Sequence, residues 1–267
     1  MAGQGRRARL SERMHRALLR RVDRVSDRLR GVSQDPEKNG EARLIRTLAV
    51  VRPEVVFDVG ANVGDWSALA RRNFPDACIH TFEVASETAA QMAERLGPEG
   101  FVHNAFGLSD IDGEVSLKHY GDLSVLTTTL ERSRFWDATF ETRTATGRVR
   151  RGDDYCVEAG IDRIDLLKID VEGVEHMVLR GFERMLRNGG IRCVQFEYGY
   201  ANGDVHFLMR DFHEMFEGYG YVVGRVGPLG LELGEWTYTQ NDFRSGPNYA
   251  ALRADDTALI EALAAPG

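Results

Sequence analysis

From Val55 onward the chain alternates short apolar runs with amphipathic segments, and that repeat constrains its fold more than any other feature. Val55-Val-Phe-Asp-Val-Gly60, Cys78-Ile-His-Thr-Phe-Glu83, Ile164-Asp-Leu-Leu-Lys-Ile-Asp170 and Ile191-Arg-Cys-Val-Gln-Phe-Glu197 read as strands. Between and after them, Trp66 to Asn73, Ser86 to Leu96, Val174 to Arg187 and Val205 to Tyr219 read as helices. Strands buried on both faces are continuously apolar, and strand-helix repetition with right-handed crossovers gives a doubly wound, mostly parallel sheet with helices on both faces. Two segments depart from the repeat. Glu114 to Tyr120 and Arg143 to Val149 are β-type pieces flanking the Ser/Thr-rich Ser124 to Thr129, as in an insertion over the mouth of a sheet. Tyr221 to Val226 and Asn248 to Arg253 look like two closing strands.

Ahead of the repeat lies a different kind of sequence. Residues 1 to 30 hold ten Arg against Glu12, Asp23 and Asp27, a charge of +7, whereas the rest of the 267 residues carries −14. Leu10, Met14, Leu18, Val22, Val25 and Leu29 recur at helical intervals, predicting an amphipathic helix from about Ser11, as N-cap, to Arg30, stopped by Gly31. Packing of its stripe on the body or on a second copy, giving a lid or a homodimer contact, is expected ahead of membrane or nucleic-acid binding, since an acidic body repels polyanions. We divide the chain into a helical extension, residues 1–52, and a catalytic domain, residues 53–267. With 43% hydrophobic residues it has ample material for one core. No apolar run reaches the roughly 20 residues of a membrane span. Cys78, Cys156 and Cys193 form no metal or disulfide pattern and read as reduced thiols of a cytoplasmic protein.

The first strand ends in Asp58-Val-Gly60-Ala-Asn62-Val-Gly64-Asp65 and enters a helix. In a doubly wound sheet that turn is a nucleotide site by position. A dinucleotide fingerprint needs three glycines at fixed spacing, which Gly60 and Gly64 do not supply, and carboxylates at Asp58 and Asp65 would repel a pyrophosphate. S-adenosylmethionine has a sulfonium and no phosphate, so acidic groups suit it. Glu83, at the tip of the second strand, is placed to accept hydrogen bonds from ribose hydroxyls. Ser109 and Asp110, after the third strand, offer polar groups to an adenine, although they also suit an ordinary turn.

Phe57-Asp-Val-Gly-Ala-Asn-Val-Gly64, Phe82-Glu83, Gly107-Leu-Ser-Asp110 and above all Leu166-Leu-Lys-Ile-Asp-Val-Glu-Gly-Val-Glu175 resemble the FkbM family of S-adenosylmethionine-dependent methyltransferases. The resemblance implies a class I methyltransferase fold and O-methylation of a small or glycosylated acceptor such as a sugar or polyketide hydroxyl. Methyl transfer needs an oxygen held in line with the methyl group and relieved of its proton. Asp170, Glu172 and Glu197 are the candidate catalytic carboxylates. Asp58, Gly60, Asn62, Gly64, Glu83, Ser109, Asp110 and Asp170 are the candidate cofactor residues, and Asp170 with Glu197 could also hold Mg²⁺. Glu172 and Glu175 equally suit a helix N-terminus. His176 and His213 read as surface or interface residues, and Tyr198, Tyr200, Trp236, Tyr238, Asn241 and Phe243 as groups for sugar or macrolide recognition or as a packing lid. The competing classes are an NAD(P)-type Rossmann oxidoreductase, which lacks its Tyr-x-x-x-Lys pair, and a non-catalytic scaffold of methyltransferase fold.

Overall fold

A computed structural model describes residues 2–29, 31–33, 35–120, 127–128, 141–241 and 248–264, without the side chains of residues 2–14, 16, 119, 120, 127, 128 and 142. Helix α1 (Ala2–Leu29) is followed by α2 (Pro36–Asn39), α3 (Glu41–Leu48) and a 3₁₀ turn at Ala49–Val51. The repeat then runs β1 (Val55–Val59), α4 (Asp65–Asn73), β2 (Cys78–Phe82), α5 (Ser86–Leu96) and β3 (Phe101–Asn104). A second sheet contains β4 (Gly107–Ser109), β5 (Gly113–Tyr120), β6 (Thr127–Thr128) and β7 (Thr142–Arg151). The main sheet resumes through α6 (Gly152–Ala159), β8 (Leu166–Ile169), α7 (Glu175–Gly181), α8 (Glu183–Arg187), β9 (Cys193–Glu197), α9 (Tyr200–Asp204) and α10 (Met209–Gly218). It closes with β10 (Tyr221–Gly227), β11 (Gly230–Leu233), β12 (Asn248–Arg253) and α11 (Thr257–Leu263).

The main sheet has the order β11-β10-β12-β9-β8-β1-β2-β3. β1 pairs in parallel with β2 on one side and β8 on the other, so the chain reverses its direction of progress at β1. β12 is antiparallel to both β9 and β10. This is the doubly wound class I methyltransferase arrangement, and its switch point puts the carboxyl ends of β1, β2, β8 and β9 along one crevice.

Side-chain alternation divides the core. Phe57, Val59, Leu167, Ile169, Val194 and Phe196 pack with α6, α7, α8 and α10 on one face. Val56, Ile79, Leu166, Cys193 and Ala250 pack with Ala42, Leu44, Ile45 and Leu48 of α3 and with α4 and α11 on the other. Helix α3, which the sequence reading placed in the 1–52 extension, thus packs into the core of the main sheet. The three cysteines are free, two of them buried, and no described helix is long and apolar enough to cross a membrane.

Several boundaries differ from the sequence reading. Helix α1 starts at Ala2, which puts Ser11 inside it and not at its N-cap, and it ends before Gly31 at φ 68°. Leu18, Val22, Val25 and Leu29 are exposed, so this part of the stripe does not pack on the body. Part of the Ser/Thr-rich segment, residues 124–126 and 129, lies outside the described residues; the flanking pieces form an antiparallel β5-β7 hairpin. The helix expected over Val174 to Arg187 breaks at Phe182, because the buried Asp153 carboxylate accepts the Arg184 and Met185 N–H groups at 2.7 and 3.0 Å and starts α8 there. The helix expected over Val205 to Tyr219 starts later, at Met209 of α10, where Asp211 accepts the Leu208 N–H at 2.7 Å, and the short α9 ahead of it was not expected.

The second sheet meets the main body at Gly181, where a Cβ would stand 2.0 Å from the Ser109 carbonyl oxygen. Backbone faces backbone here and neither can rotate away. Gly181→Ala is expected to lower the unfolding free energy by about 2 kcal/mol or more, measured by urea denaturation.

Candidate functional site

Strand alternation builds a polar row across five neighbouring strands. Gln195, Lys168, Asp58, Thr81 and His103 lie side by side in register on the face shared with α3 and α4. One pleat further along, at the carboxyl edge, come Glu197, Asp170, Gly60 and Glu83. The site is therefore two layers deep.

Lys168 centres the lower layer. Its ammonium stands 3.1 Å from Asp58 Oδ1 and 3.4 Å from Asp170 Oδ2, and donates to the Gly60 carbonyl at 3.3 Å. Burial alone pushes a lysine pKa down, but the charges of Asp58, Asp170 and Glu41 outweigh it and hold Lys168 above its ordinary value. Asp58 is wholly buried and also accepts the Ser67 hydroxyl at 2.6 Å. Asp58 therefore sits beneath the turn and organises it, where the sequence had suggested a carboxylate facing the cofactor. Asp65 points the other way, paired on the surface with Arg95 at 2.5 Å.

The glycine turn is shaped by crowding. A Cβ at Gly60 would come 1.8 Å from the Asp170 carbonyl oxygen, and one at Gly64 would come 2.7 Å from Leu96; both glycines have positive φ. Asn62 adopts φ 47° without being glycine, its N–H donates to Glu83 Oε2 at 2.9 Å, and its side-chain oxygen Oδ1 is buried with no hydrogen-bond partner. The other Glu83 oxygen accepts the Ala85 N–H at 2.8 Å. Burial pushes the Glu83 pKa up while these backbone donors oppose it. A buried acceptor left open beside a carboxylate fits a ligand rich in hydroxyl and amino donors.

At the β8 and β9 tips, Asp170, Glu172 and Glu197 each bring a carboxylate oxygen within 4.8 Å of the others. Glu197 hydrogen-bonds Asp170, and its pKa lies well above the ordinary range because it is buried and faces the charges of Asp170, Glu172 and Glu175. Burial beside other carboxylates thus favours the neutral form of Glu197. Glu172 takes φ 58° and Gly173 φ 106°, a tight turn held by Glu175, whose Oε1 accepts the Val171 and Gly173 N–H groups at 3.1 and 3.0 Å. Asn202 of α9 donates to the other Glu175 oxygen at 3.3 Å. Glu175 is thus both the first residue of α7, as its helix N-terminus reading has it, and an internal brace of the loop.

Ser109 and Asp110 lie at the seam of the second sheet with α7, where Ser109 Oγ donates to Asp110 Oδ1 at 3.3 Å. His176 of α7 stacks on Phe207 with centroids 4.5 Å apart, and burial lowers its pKa as it does that of the buried His213. Tyr198 is fully buried and donates to Asn241 at 3.3 Å, while Trp236 meets the exposed Tyr238 edge-on at 4.6 Å. Tyr200 opens α9, and Phe243 lies outside the described residues. The sequence reading missed Lys168, Gln195, Glu41 and Asn202 as site groups. The first two carried a signal: each is a polar residue inside an apolar strand, two before an acidic tip.

The sequence model of the methyltransferase FkbM domain matches residues 58–223, from the buried aspartate of β1 into β10. The chain belongs to the FkbM methyltransferase family. Similar curated proteins are methyltransferase sdnD of Sordaria araneosa (28% identical, covering 48% of this chain and 60% of that protein) and 2-O-methyltransferase NoeI of Sinorhizobium fredii (27%; 49% and 58%). Hexuronic acid methyltransferase AglP of Haloferax volcanii is 25% identical, covering 64% of this chain and 69% of its own. The chain spans about 60% of the length of the first of these FkbM relatives. Membership in a methyltransferase family removes the oxidoreductase alternative.

In this FkbM chain burial raises the Glu175 pKa to about 7 from 4.5, against its backbone hydrogen bonds. Between those values the folded chain holds a proton that the unfolded chain has released, so this contribution to stability falls as pH rises through about 7. It amounts to at most about 3 kcal/mol. Glu175→Gln keeps an acceptor for Val171 and Gly173, and is expected to lose less stability than the wild type between pH 5 and pH 8 in urea titrations; an equal loss in both proteins contradicts this.

Proposed function

We propose that this protein is an S-adenosylmethionine-dependent O-methyltransferase acting on a hydroxyl of a sugar, polyketide or similar natural-product acceptor. The observation that carries the reading is the contact of Asp170, Glu172 and Glu197 at the strand tips beside the Gly60–Gly64 turn. The names of NoeI and AglP, a 2-O-methyltransferase and a hexuronic acid methyltransferase, support an oxygen acceptor on a sugar. Gly60, Asn62 and Gly64 shape the cofactor turn. Glu83 takes the ribose hydroxyls, and Ser109 and Asp110 are assigned to the adenine edge. When bound, S-adenosylmethionine supplies an electrophilic methyl group on a cationic sulfur.

The remaining work falls to this chain's own side chains. Asp170, steadied by Lys168 at 3.4 Å, orients the acceptor hydroxyl and draws off its proton. Glu197, buried among the other carboxylates, is pushed toward its neutral form and stands as a hydrogen-bonding partner beside Asp170. The partly buried rings of Trp236 and Phe207 are assigned to an apolar wall for a sugar or macrolide face. The same three carboxylates suit a hard, oxygen-seeking ion, so Mg²⁺ held by Asp170, Glu172 and Glu197 is the second reading; there the ion would acidify the hydroxyl.

Calorimetry is expected to detect S-adenosylmethionine and S-adenosylhomocysteine; binding of neither overturns the reading and leaves a non-catalytic scaffold. Asp170→Asn is expected to keep cofactor affinity within about 3-fold and to lower methyl transfer to a hydroxylated sugar panel by about 10²- to 10⁴-fold. Loss of transfer on adding a chelator, restored by Mg²⁺, selects the metal reading.

We also propose that α1 joins two copies of the chain. Leu18, Val22, Val25 and Leu29 follow a 4-3-4 spacing, a narrow a/d seam suited to a second helix, and all four are exposed. In a parallel pair Arg21 and Arg28 flank the seam opposite serine and leucine positions and not each other. Sedimentation is expected to show a dimer that Val25→Glu dissociates without changing cofactor affinity; a wild-type monomer at tens of micromolar, as an order of magnitude, contradicts the dimer.

A further inference from the structure

Glu41 opens α3, 17 positions before the segment matched to the family begins, yet it is carried into the methyltransferase site. Its Oε1 accepts from Gln195 Nε2 at 2.6 Å across 154 residues of chain, and its Oε2 accepts from Asn39 Nδ2 at 2.7 Å. Both oxygens thus receive amide N–H groups, which together with Lys168 favour the charged form and oppose the upward push that burial gives the Glu41 pKa. Gln195 is fully buried, is further tied to Asn248 at 3.3 Å, and lies beside Lys168 in strand register. The Glu41 backbone is fixed as well, since its N–H donates to Asn39 Oδ1 at 2.9 Å and Gly40 before it takes φ 98°.

The reason for burying a third carboxylate here lies in the charge balance. Among the described residues, Lys168 is the cation paired with the carboxylates of this row, and it faces Asp58 and Asp170 at 3.1 and 3.4 Å. Glu41 interacts electrostatically with both Lys168 and Asp170. It offsets the ammonium from the α3 side, and the edge formed by Asp170, Glu172, Glu197 and Glu83 keeps a net negative potential. Electrostatic effects in a water-poor site act over several ångströms, so a carboxylate behind the lysine is felt at the edge without touching a ligand.

We propose that Glu41 is a specificity-determining positioning residue, which through the Lys168 row makes the site prefer the cationic methyl donor over its neutral demethylated product. The methyl donor and the product differ by the sulfonium charge, so a site tuned in this way binds the first and releases the second. This role rests on the cofactor reading above, and it adds a contribution from outside residues 58–223.

The test is calorimetry on the full chain with S-adenosylmethionine and S-adenosylhomocysteine in parallel. Glu41→Gln removes the charge and keeps the side-chain shape. It is expected to weaken S-adenosylmethionine about 3- to 10-fold while S-adenosylhomocysteine changes by less than about 2-fold. Glu41→Asp is expected to restore most of the preference. Glu37→Gln, which neutralises an exposed carboxylate of α2, is expected to change neither. Equal weakening of both compounds marks Glu41 as a packing residue only and overturns the proposal, as does no change in either. A wild-type protein that binds neither compound defeats the cofactor reading itself, an outcome distinct from both.

Discussion

The buried ammonium of Lys168 is the interaction on which the rest of the site depends. It joins the β1 turn, through the Gly60 carbonyl, to the β8 tip, through Asp170, and it neutralises Asp58 beneath both. A buried cation of this kind is tolerable only when anions surround it, and removing any partner leaves an uncompensated charge. The two strands that meet at the switch point are therefore locked at the place where the proposed reaction holds a cofactor and an acceptor in line. Positional accuracy of that order is what an in-line displacement requires.

Two turns of left-handed backbone meet over this lock. Gly60, Asn62, Gly64, Glu172 and Gly173 all have positive φ, and all lie in the two turns that face each other over Lys168. Each is held by a carboxylate or by crowding: Asn62 by Glu83, the Glu172-Gly173 turn by Glu175, and Gly60 by the Asp170 carbonyl. Strain kept in place by buried hydrogen bonds is a mark of preorganisation. The acidic residues of the edge consequently have separate duties. Asp58 and Glu175 brace, Glu83 joins turn to strand, and Asp170, Glu172 and Glu197 form the open cluster.

Much of this was legible in the chain itself. The strands ending in Asp58, Glu83, Asp170 and Glu197 were readable from apolar runs alone, since burial on both faces leaves little else that such runs can be. The family likeness at Leu166 to Glu175 then pointed to the β8 tip, where the proposed reaction site lies. The break at Phe182 and the short helix α9 were not readable. Asp153 caps α8 from 31 residues away, and a side chain supplied from another element leaves no local pattern. The exposed seam of α1 was readable as amphipathic, whereas only the structure could show that its described residues do not pack on the body.

The sequence by itself determined the order of strands and helices and the placing of acidic residues at strand tips, because both follow from periods of two and 3.6 residues along the chain. Tertiary structure decided what those acids do. Whether a carboxylate braces a loop, is pushed toward its neutral form or balances a lysine depends on partners brought from 108 residues away for Lys168 and Gly60 and 154 for Glu41 and Gln195. Electrostatic energy depends on distance through space and on exclusion of water, and neither quantity exists until the sheet has closed over its helices.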